Sequence, residues 1–282
     1  MTENKKEFKL LQKKTPTSLL PNALTILGVC LGLSSIKFAL DFNYEMAVIT
    51  IGFAAILDTL DGRVARLVNA TSKVGKELDS LTDVISFGVA PSFIMYFWSI
   101  NEIGKIGWLF VLLYTVCCAL RLARFNLTNV SENESWKINF FEGVPSPASA
   151  GLVLLPLILS LSSIAELFNL NQIIQLLNLD NIFQVENNKV ISSIVILVTS
   201  ILMVSKVPTY SLKRIVIPRS LTVFLLLGIG SYISVLIFFT FEILFLTGLV
   251  YIILIPVSYF HYKHLNKKSS NKDKEDEIED IL

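Results

Sequence analysis

The sequence has little histidine, cysteine and charge, and each shortage excludes a class of protein. Among 282 residues there are two histidines and three cysteines. Phospholipase D-like enzymes need two H-x-K-x4-D motifs. His261-Tyr-Lys263 begins this pattern, but residue 268 is lysine, so this class of enzyme is excluded. The cysteines form no C-x-x-C or Cys/His pattern, so we interpret them as small buried residues. Charged residues make up 17% of the chain, against about 25% in soluble domains.

Long apolar runs are abundant instead, and 53% of the residues are hydrophobic. A helix needs about 20 consecutive apolar residues to cross a bilayer. Eight runs near this length predict an all-α integral membrane protein. The predicted spans are residues 19–40, 44–66, 80–99, 106–126, 144–164, 189–205, 219–239 and 242–262.

Lysine and arginine are distributed unevenly between the two sides of this predicted bundle. If the N-terminus is cytoplasmic, 21 of the 24 basic residues fall on the cytoplasmic side. Lys105 and Lys189 fall on the other side, and Lys37 lies late in the first span, from where it can snorkel outward. Because cytoplasmic loops are enriched in basic residues, we expect a multi-pass protein of a bacterial-type inner membrane with both termini in the cytoplasm.

Three segments outside the spans have patterns of their own. Residues 1–18 combine five lysines with apolar residues, which predicts an amphipathic cytoplasmic segment attracted to anionic lipid. Residues 165–188 have helical apolar spacing, so we expect them to lie along the outer membrane surface. Residues 263–282 form a charged cytoplasmic tail in which lysines precede a short acidic run.

Four aspartates lie at helical spacing near the cytoplasmic ends of the second and third predicted spans. Asp58 and Asp61 are three residues apart, and Asp79 and Asp83 are four apart, so each pair shares one helix face. The connection between the two helices is short, which makes them antiparallel neighbours whose carboxylates can converge. Each charge costs roughly 2.5–3.5 kcal/mol at the membrane centre, and the four repel one another. The cluster therefore predicts a bound cation.

The ligand chemistry predicts two divalent metal ions. Oxygen ligands without histidine or cysteine favour Mg²⁺, Mn²⁺ or Ca²⁺, and two such ions can clamp a pyrophosphate and offset charge on a leaving oxygen. Gly62, Ala65 and Gly75 remove bulk beside the carboxylates, so that a base and ribose can approach the backbone. Arg66 offers a forked contact to a phosphate. Packing between helices is the alternative role for the glycines.

Together these residues resemble the signature of the CDP-alcohol phosphatidyltransferase family, D-x2-D-G-x2-A-R-x8-G-x3-D-x3-D. The positions that meet it are Asp58, Asp61, Gly62, Ala65, Arg66, Gly75, Asp79 and Asp83. The resemblance implies an enzyme in which an alcohol attacks the diacylglycerol-bearing phosphorus of CDP-diacylglycerol and releases CMP. It also implies a homodimer and a six-helix catalytic core, here residues 19–205. Residues 206–262 would then be two additional transmembrane helices.

The same resemblance assigns roles to single residues. Asp58, Asp61 and Asp79 would bind the metal ions, while Asp83 would complete the second metal site and act as the general base. The residues expected to contact the CDP moiety are Asp61, Gly62, Ala65, Arg66 and Gly75, together with Asn22 and Thr25 from the first span. For the last two, packing or helix capping is the alternative role.

Three shorter markers bear on the acceptor alcohol. They are residues 86–91 (Ser-Phe-Gly-Val-Ala-Pro), 121–126 (Arg-Leu-Ala-Arg-Phe-Asn) and 141–147 (Phe-Glu-Gly-Val-Pro-Ser-Pro). All three resemble the membrane-type phosphatidylserine synthases of bacteria and archaea, a branch of the family, which implies L-serine as the acceptor. The candidates for binding the acceptor or the lipid phosphate are Ser86, Arg121 and Arg124. The two arginines also suit a role as topology determinants.

Two alternatives remain from the residues alone. A sister enzyme using glycerol 3-phosphate or inositol phosphate would need a basic pocket for the acceptor's phosphate, and the shorter markers point away from it. A cation transporter would place its carboxylates near the bilayer midplane, between broken helices, whereas these lie toward one end beside arginines. The expected partners are CDP-diacylglycerol, L-serine, membrane lipid and a second copy of the chain, with no nucleic acid.

Overall fold

The computed structural model describes residues 19–68, 73–127, 140–164, 188–211 and 221–279. The chain forms two compact units, the first ending at Leu122 and the second beginning at Ala123. The described part is helical except for short connections and two three-residue strands. The predicted surface segments, residues 1–18 and 165–188, lie outside the described residues except for Asn188, so they stay predictions.

The first unit is built from five α-helices joined by short connections. They are α1 (Leu19–Leu40), α2 (Tyr44–Leu67), α3 (Lys73–Asp83), α4 (Ala90–Trp98) and α5 (Lys105–Leu127), the last of which runs on into the second unit. A π-helical turn, Val84–Val89, joins α3 to α4, and a short 3₁₀ helix, Ile100–Ile103, precedes α5. Helix α1 packs against α2, α3, the π turn and α4, so it is the common neighbour of the elements that bear the acidic motif.

Local sequence explains the tight reversal between α1 and α2. Phe42 adopts a φ of 60°, the left-handed conformation that turns the chain back on itself. The Asn43 side chain then accepts a hydrogen bond from the backbone N–H of Met46 at 3.2 Å. This bond caps the first turn of α2, where backbone donors have no partner within the helix. The two helices therefore pack side by side immediately after the turn.

Four helical stretches within the described residues are long and apolar enough to cross a membrane. They are Leu20–Leu40, Val74–Trp98, Lys105–Asn126 and Thr240–Asn266. Two shorter apolar helices are Asn188–Val204 and Thr222–Phe238. Helix α2 has the length of a span but carries the charges of the acidic motif. The prediction of an all-α integral membrane protein is confirmed, while the count of eight spans stays a prediction.

The second unit combines two strands with helices on either side of them in sequence. The elements are β1 (Phe140–Glu142), α6 (Ser146–Val153), α7 (Leu155–Leu161), α8 (Asn188–Val204), β2 (Pro208–Tyr210), α9 (Thr222–Phe238) and α10 (Thr240–Glu279). The strands pair antiparallel, with Phe141 opposite Thr209. The span predicted at 144–164 is divided at Leu154, because Pro156 in the first turn of α7 has no N–H for the preceding turn.

Helix α10 is part of the second unit's core. Buried Val144, Leu152 and Leu155 form a cluster, and α10 packs Phe245 and Tyr251, among other residues, against it. Helix α9 contacts α10 and buries none of its own residues, as suits an apolar helix whose surface meets lipid. Helix α10 continues past residue 263, where the charged tail is predicted to begin, and ends at Glu279.

Candidate active site

The carboxylates of four aspartates converge where the end of α2 meets α3. Oxygen atoms of Asp58, Asp61 and Asp79 all lie within 4.8 Å of one another. Asp83 joins this group through Asp58, because their side chains are in hydrogen-bonding contact. Asp58 makes a similar contact with Asp79. The structure therefore brings together all four aspartates of the motif, and we call them the acidic cluster.

The acidic cluster fits a divalent metal ion. Ligand oxygens at 2.0–2.1 Å from Mg²⁺ stand at most about 4.2 Å apart, and those of Ca²⁺ reach about 5 Å, so the observed 4.8 Å limit needs little adjustment. Every donor is a carboxylate oxygen, the ligand type that hard cations prefer. Asp61 is buried, and Asp58 and Asp79 are half-buried, so water screens their mutual repulsion poorly. A divalent cation at this position would offset that repulsion.

Helix α1 holds the Asp61 carboxylate. The Thr25 hydroxyl donates a hydrogen bond to Asp61 Oδ2 at 2.7 Å, and its oxygen also lies 3.0 Å from the Pro21 carbonyl. The backbone N–H of Gly62 donates to the same carboxylate. Asn22 lies one turn before Thr25 and is half-buried. Of the two α1 candidates, Thr25 is thus in direct contact with a predicted metal ligand.

The other signature residues are exposed or half-buried. Gly62 is exposed, and a Cβ built there meets nothing within 4 Å. Arg66 is also exposed, and its Nε donates to the Gly62 carbonyl at 3.1 Å. Ala65 and Gly75 are half-buried. The part of α2 that follows Asp61 therefore has open space at Gly62, and the nucleotide contacts predicted for these residues stay predictions.

A π-helical turn, Val84–Val89, begins directly after Asp83. π-helical turns are rare overall, and those that occur are often found at functional sites. Pro91 has no N–H to offer the Phe87 carbonyl four residues earlier, and the buried Tyr114 hydroxyl of α5 donates to that carbonyl at 3.1 Å. A side chain from a neighbouring helix therefore replaces a missing backbone donor just beyond the acidic cluster.

Small residues allow α1 and α5 to approach the π turn closely. The Ser86 hydroxyl donates to the Gly28 carbonyl at 3.1 Å, and a Cβ on Gly32 would lie 2.6 Å from Ser86 Oγ. On the other side, a Cβ on Gly88 would lie 3.1 Å from the Cys118 Cβ. Ser86 is 0% exposed, so its hydroxyl serves the contact between helices. The acceptor-binding role predicted for Ser86 stays a prediction.

The two arginines of the second marker have different surroundings. Arg121 is 8% exposed. Cys118, three residues earlier on α5, lies 3.1 Å from a Cβ built on Gly88, so Arg121 is on the side of α5 that packs against the π turn. Arg124 instead donates from Nη1 to the Val204 carbonyl at 2.8 Å, at the C-terminus of α8. A cation there is favourable because the helix dipole is negative at that end.

The third marker, residues 141–147, closes the same end of α8. Gly143 has a φ of 75°, and a Cβ on it would lie 2.6 Å from the Met203 carbonyl oxygen and 2.9 Å from that of Ser205. The Thr209 hydroxyl of β2 donates to the Gly143 carbonyl at 2.8 Å. The backbone N–H of Val144 donates to the Leu202 carbonyl at 3.4 Å, near the C-terminus of α8, where carbonyls have no donor within the helix. This marker therefore has a structural role in the second unit.

No sequence pattern singles out Tyr114, which lies in an apolar run without a motif around it. The available signal is indirect. A buried tyrosine hydroxyl needs a hydrogen-bond partner, and Pro91 deprives the Phe87 carbonyl of its helical donor. Neither fact alone shows that these two groups meet, because they lie on different helices.

Comparison with known proteins finds one family model and several similar proteins. Residues 18–179 match the family model described as CDP-alcohol phosphatidyltransferase. A Mycobacterium leprae protein named CDP-diacylglycerol–serine O-phosphatidyltransferase is 46% identical over 144 residues, which are 51% of this chain and 48% of the relative. Proteins of the same name from Helicobacter pylori and Bacillus subtilis are 48% and 38% identical over 145 residues, or 51% of this chain and 59% and 78% of the relatives. The chain thus spans about half the length of the mycobacterial relative that it matches.

Proposed function

The chain belongs to the CDP-alcohol phosphatidyltransferase family, and from this premise we propose that it transfers the phosphatidyl group of CDP-diacylglycerol to L-serine. The products are phosphatidylserine and CMP. The acidic cluster carries this proposal, because oxygens of Asp58, Asp61 and Asp79 lie within 4.8 Å of one another at the end of α2. The names of the relatives from three bacterial genera support serine as the acceptor.

Asp58, Asp61 and Asp79 are the proposed metal ligands, and Asp83 completes a second metal site. The proposed ions are Mg²⁺ or Mn²⁺, with Ca²⁺ as the further candidate, in line with the all-carboxylate donor set. When bound, such ions offset negative charge on the pyrophosphate and on the leaving CMP oxygen. The protein's own part is to bring four carboxylates from two helices to one place.

The exposed part of α2 that follows Asp61 is the proposed site for the CDP moiety. Gly62 has free space where a side chain would stand, and Ala65 and Gly75 add little bulk. The exposed Arg66 guanidinium has the planar fork that suits a phosphate. Asn22 is the candidate contact from α1. These residues would orient the nucleotide so that its diphosphate faces the acidic cluster.

In the proposed reaction, the serine hydroxyl oxygen forms a bond to the phosphorus that carries diacylglycerol. The bond from this phosphorus to the bridging oxygen breaks, and CMP leaves with the electron pair. A tightly metal-bound carboxylate is a poor base, so Asp83 would be the most weakly held of the four metal ligands, and it takes the hydroxyl proton as the new bond forms. We expect Asp83→Asn to keep CDP-diacylglycerol binding and lose turnover. Loss of nucleotide binding as large as in Asp61→Asn would contradict a role as base.

Arg121 is the proposed partner of the serine carboxylate or the lipid phosphate, because it is buried on the side of α5 that packs against the π turn, which begins directly after Asp83. Lysine at this position keeps the charge but loses the forked geometry. We therefore expect Arg121→Lys to raise the serine KM. An unchanged KM and rate would contradict this assignment and leave Arg121 as a topology determinant.

The proposed location is a bacterial-type inner membrane, with the acidic cluster and both termini on the cytoplasmic side. Support comes from the 21 basic residues, of 24, that this orientation places in the cytoplasm. Alkaline phosphatase fused to the C-terminus should then be inactive, because its disulfides form only after export. An active fusion would contradict the orientation. A homodimer is proposed as well, and light scattering of the detergent-solubilised protein tests it.

An acceptor screen tests the proposed activity. The purified protein in detergent receives CDP-diacylglycerol and Mg²⁺ or Mn²⁺, and CMP release is measured with serine, glycerol 3-phosphate, inositol phosphate or choline. We expect serine to give the fastest release. Release with a phosphate-bearing acceptor and none with serine would contradict the proposed substrate, while leaving the family assignment intact.

A further inference from the structure

The four carboxylates of the acidic cluster are not held in the same way. Asp58 contacts two other carboxylates, those of Asp79 and Asp83. Asp61 instead accepts hydrogen bonds from two neutral donors, the Thr25 hydroxyl and the Gly62 backbone N–H. A hydrogen bond between two carboxyl groups needs a proton on one of them, which a bound cation would displace, whereas the two neutral donors to Asp61 would remain. These two donors, the Thr25 hydroxyl and the Gly62 N–H, therefore set the orientation of the Asp61 carboxylate.

Thr25 is well placed to fix this orientation. It lies on α1, 36 residues before Asp61, and both side chains are 5% exposed. The hydroxyl has one proton and two nearby acceptors, Asp61 Oδ2 at 2.7 Å and the Pro21 carbonyl at 3.0 Å. A bond to a carboxylate is roughly twice as strong as a neutral one, so the proton goes to Asp61. The β-branched side chain limits the rotamers available in a helix, which restricts the direction of the donor.

We propose that Thr25 is a positioning residue for the metal site, acting through Asp61 rather than by contact with the nucleotide. By occupying Oδ2, the hydroxyl fixes the plane of the carboxylate and hence the direction in which its other oxygen faces a cation. This inference rests on the proposed function, in which Asp61 is a metal ligand. Residues that orient metal ligands typically change metal affinity by about 10–100-fold when they are replaced.

The test measures Mn²⁺ affinity, which is independent of turnover. The full-length protein in detergent is titrated with Mn²⁺, and the electron paramagnetic resonance signal of the free ion is recorded. Thr25→Val keeps the shape of the side chain and removes the donor, so we expect it to weaken Mn²⁺ binding by about 10-fold or more. Thr25→Ser keeps the hydroxyl, and we expect near wild-type affinity.

Thr50→Val is the matched control. Thr50 is a buried threonine of α2 whose hydroxyl donates to the Met46 carbonyl one turn earlier, so its loss should leave Mn²⁺ affinity unchanged. Melting curves in chelator show which variants fold. If Thr25→Val does not fold, Thr25→Ala removes the same hydroxyl without adding a methyl group at its position, and the same loss of affinity is expected.

The outcomes separate this inference from the proposed function. Weak Mn²⁺ binding by Thr25→Val, together with near wild-type binding by Thr25→Ser, supports the role of Thr25. A wild type that binds Mn²⁺ and a Thr25→Val protein that binds it equally well contradict the role of Thr25 alone. A folded wild type that binds no Mn²⁺ contradicts the proposed metal site and this inference with it.

Discussion

In the first unit a buried threonine bonds to a carboxylate of the acidic cluster, whereas in the second unit side chains bond to backbone carbonyls at or near the end of α8. Thr25 bonds to Asp61 in the first unit, and in the second unit Arg124 bonds to the Val204 carbonyl and Thr209 to the Gly143 carbonyl. Both arrangements coincide with sequence markers of the family. The difference teaches that a marker can encode a ligand site or the closure of a helix end, and that spacing alone does not tell them apart.

The comparison also concerns stability. Clustered carboxylates oppose folding unless a cation offsets their charge. Without a bound cation, the acidic cluster therefore lowers the free energy of unfolding. The groups at the end of α8 satisfy carbonyls that would otherwise lack donors, so they favour folding. Substitutions in the first unit should therefore affect activity more than stability, and those in the second unit the reverse.

The largest effect is expected from Asp58→Asn in the acidic cluster. It removes a carboxylate that contacts both Asp79 and Asp83. We expect CMP release to fall by about 100-fold or more, which corresponds to about 3 kcal/mol of transition-state stabilisation. The melting temperature in chelator should not fall, because one negative charge is removed from a repulsive group. Activity close to wild type would contradict the proposed role of the acidic cluster.

Gly143→Ala should show the opposite behaviour, a loss of stability. The new Cβ would lie 2.6 Å from the Met203 carbonyl oxygen at a φ of 75°. We expect the free energy of unfolding to fall by about 2–3 kcal/mol, measured by unfolding in detergent. Gly151→Ala is the control, since a Cβ there meets nothing within 4 Å and alanine favours a helix by up to about 1 kcal/mol. Equal stability of the two variants would be evidence against the close approach at Gly143.

Tyr114→Phe should affect both properties, because the π turn begins directly after Asp83. Without the hydroxyl, the Phe87 carbonyl loses a donor, and an unsatisfied buried acceptor costs about 1–2 kcal/mol. We expect a lower melting temperature together with slower CMP release per folded molecule. Tyr96→Phe keeps the ring contact with Trp108 and serves as the control. Activity unchanged in a destabilised Tyr114→Phe protein would show that the π turn does not position Asp83.

The smallest effect is expected from Arg124→Gln. It removes the cation at the C-terminus of α8, and we expect a loss of about 1 kcal/mol in the free energy of unfolding with an unchanged serine KM. Lys105→Gln is the control for Arg124→Gln. Lys105 is exposed at the start of α5, where a cation has no favourable interaction with the helix dipole. If Arg124→Gln raises the serine KM while stability is kept, Arg124 belongs to the acceptor site instead.

Features that depend on local spacing could be predicted from the sequence. Apolar runs predicted the membrane helices, because length and hydropathy decide whether a helix can cross a bilayer. The pairs Asp58/Asp61 and Asp79/Asp83 predicted the acidic cluster, because i+3 and i+4 spacing puts side chains on one helix face. The break near Leu154 had a local signal in Pro156, but apolar content alone favoured one continuous span.

Features that depend on distant partners could not be predicted. The Tyr114 hydroxyl that bonds to the Phe87 carbonyl of the π turn comes from another helix. The pairing of Phe141 with Thr209 joins segments that are far apart in sequence and carry only three strand residues each. Thr25 could be assigned to packing or to the nucleotide from its sequence position, and its bond to Asp61 appears only when α1 packs against α2.

The central claim is that aspartates from α2 and α3 bind divalent cations. Its most direct test is the anomalous scattering of Mn²⁺ in crystals of the protein grown with Mn²⁺ and CDP-diacylglycerol. The account predicts an anomalous peak in contact with carboxylate oxygens of Asp58, Asp61 and Asp79. Active protein whose Mn²⁺ peak lies away from these three residues would contradict it.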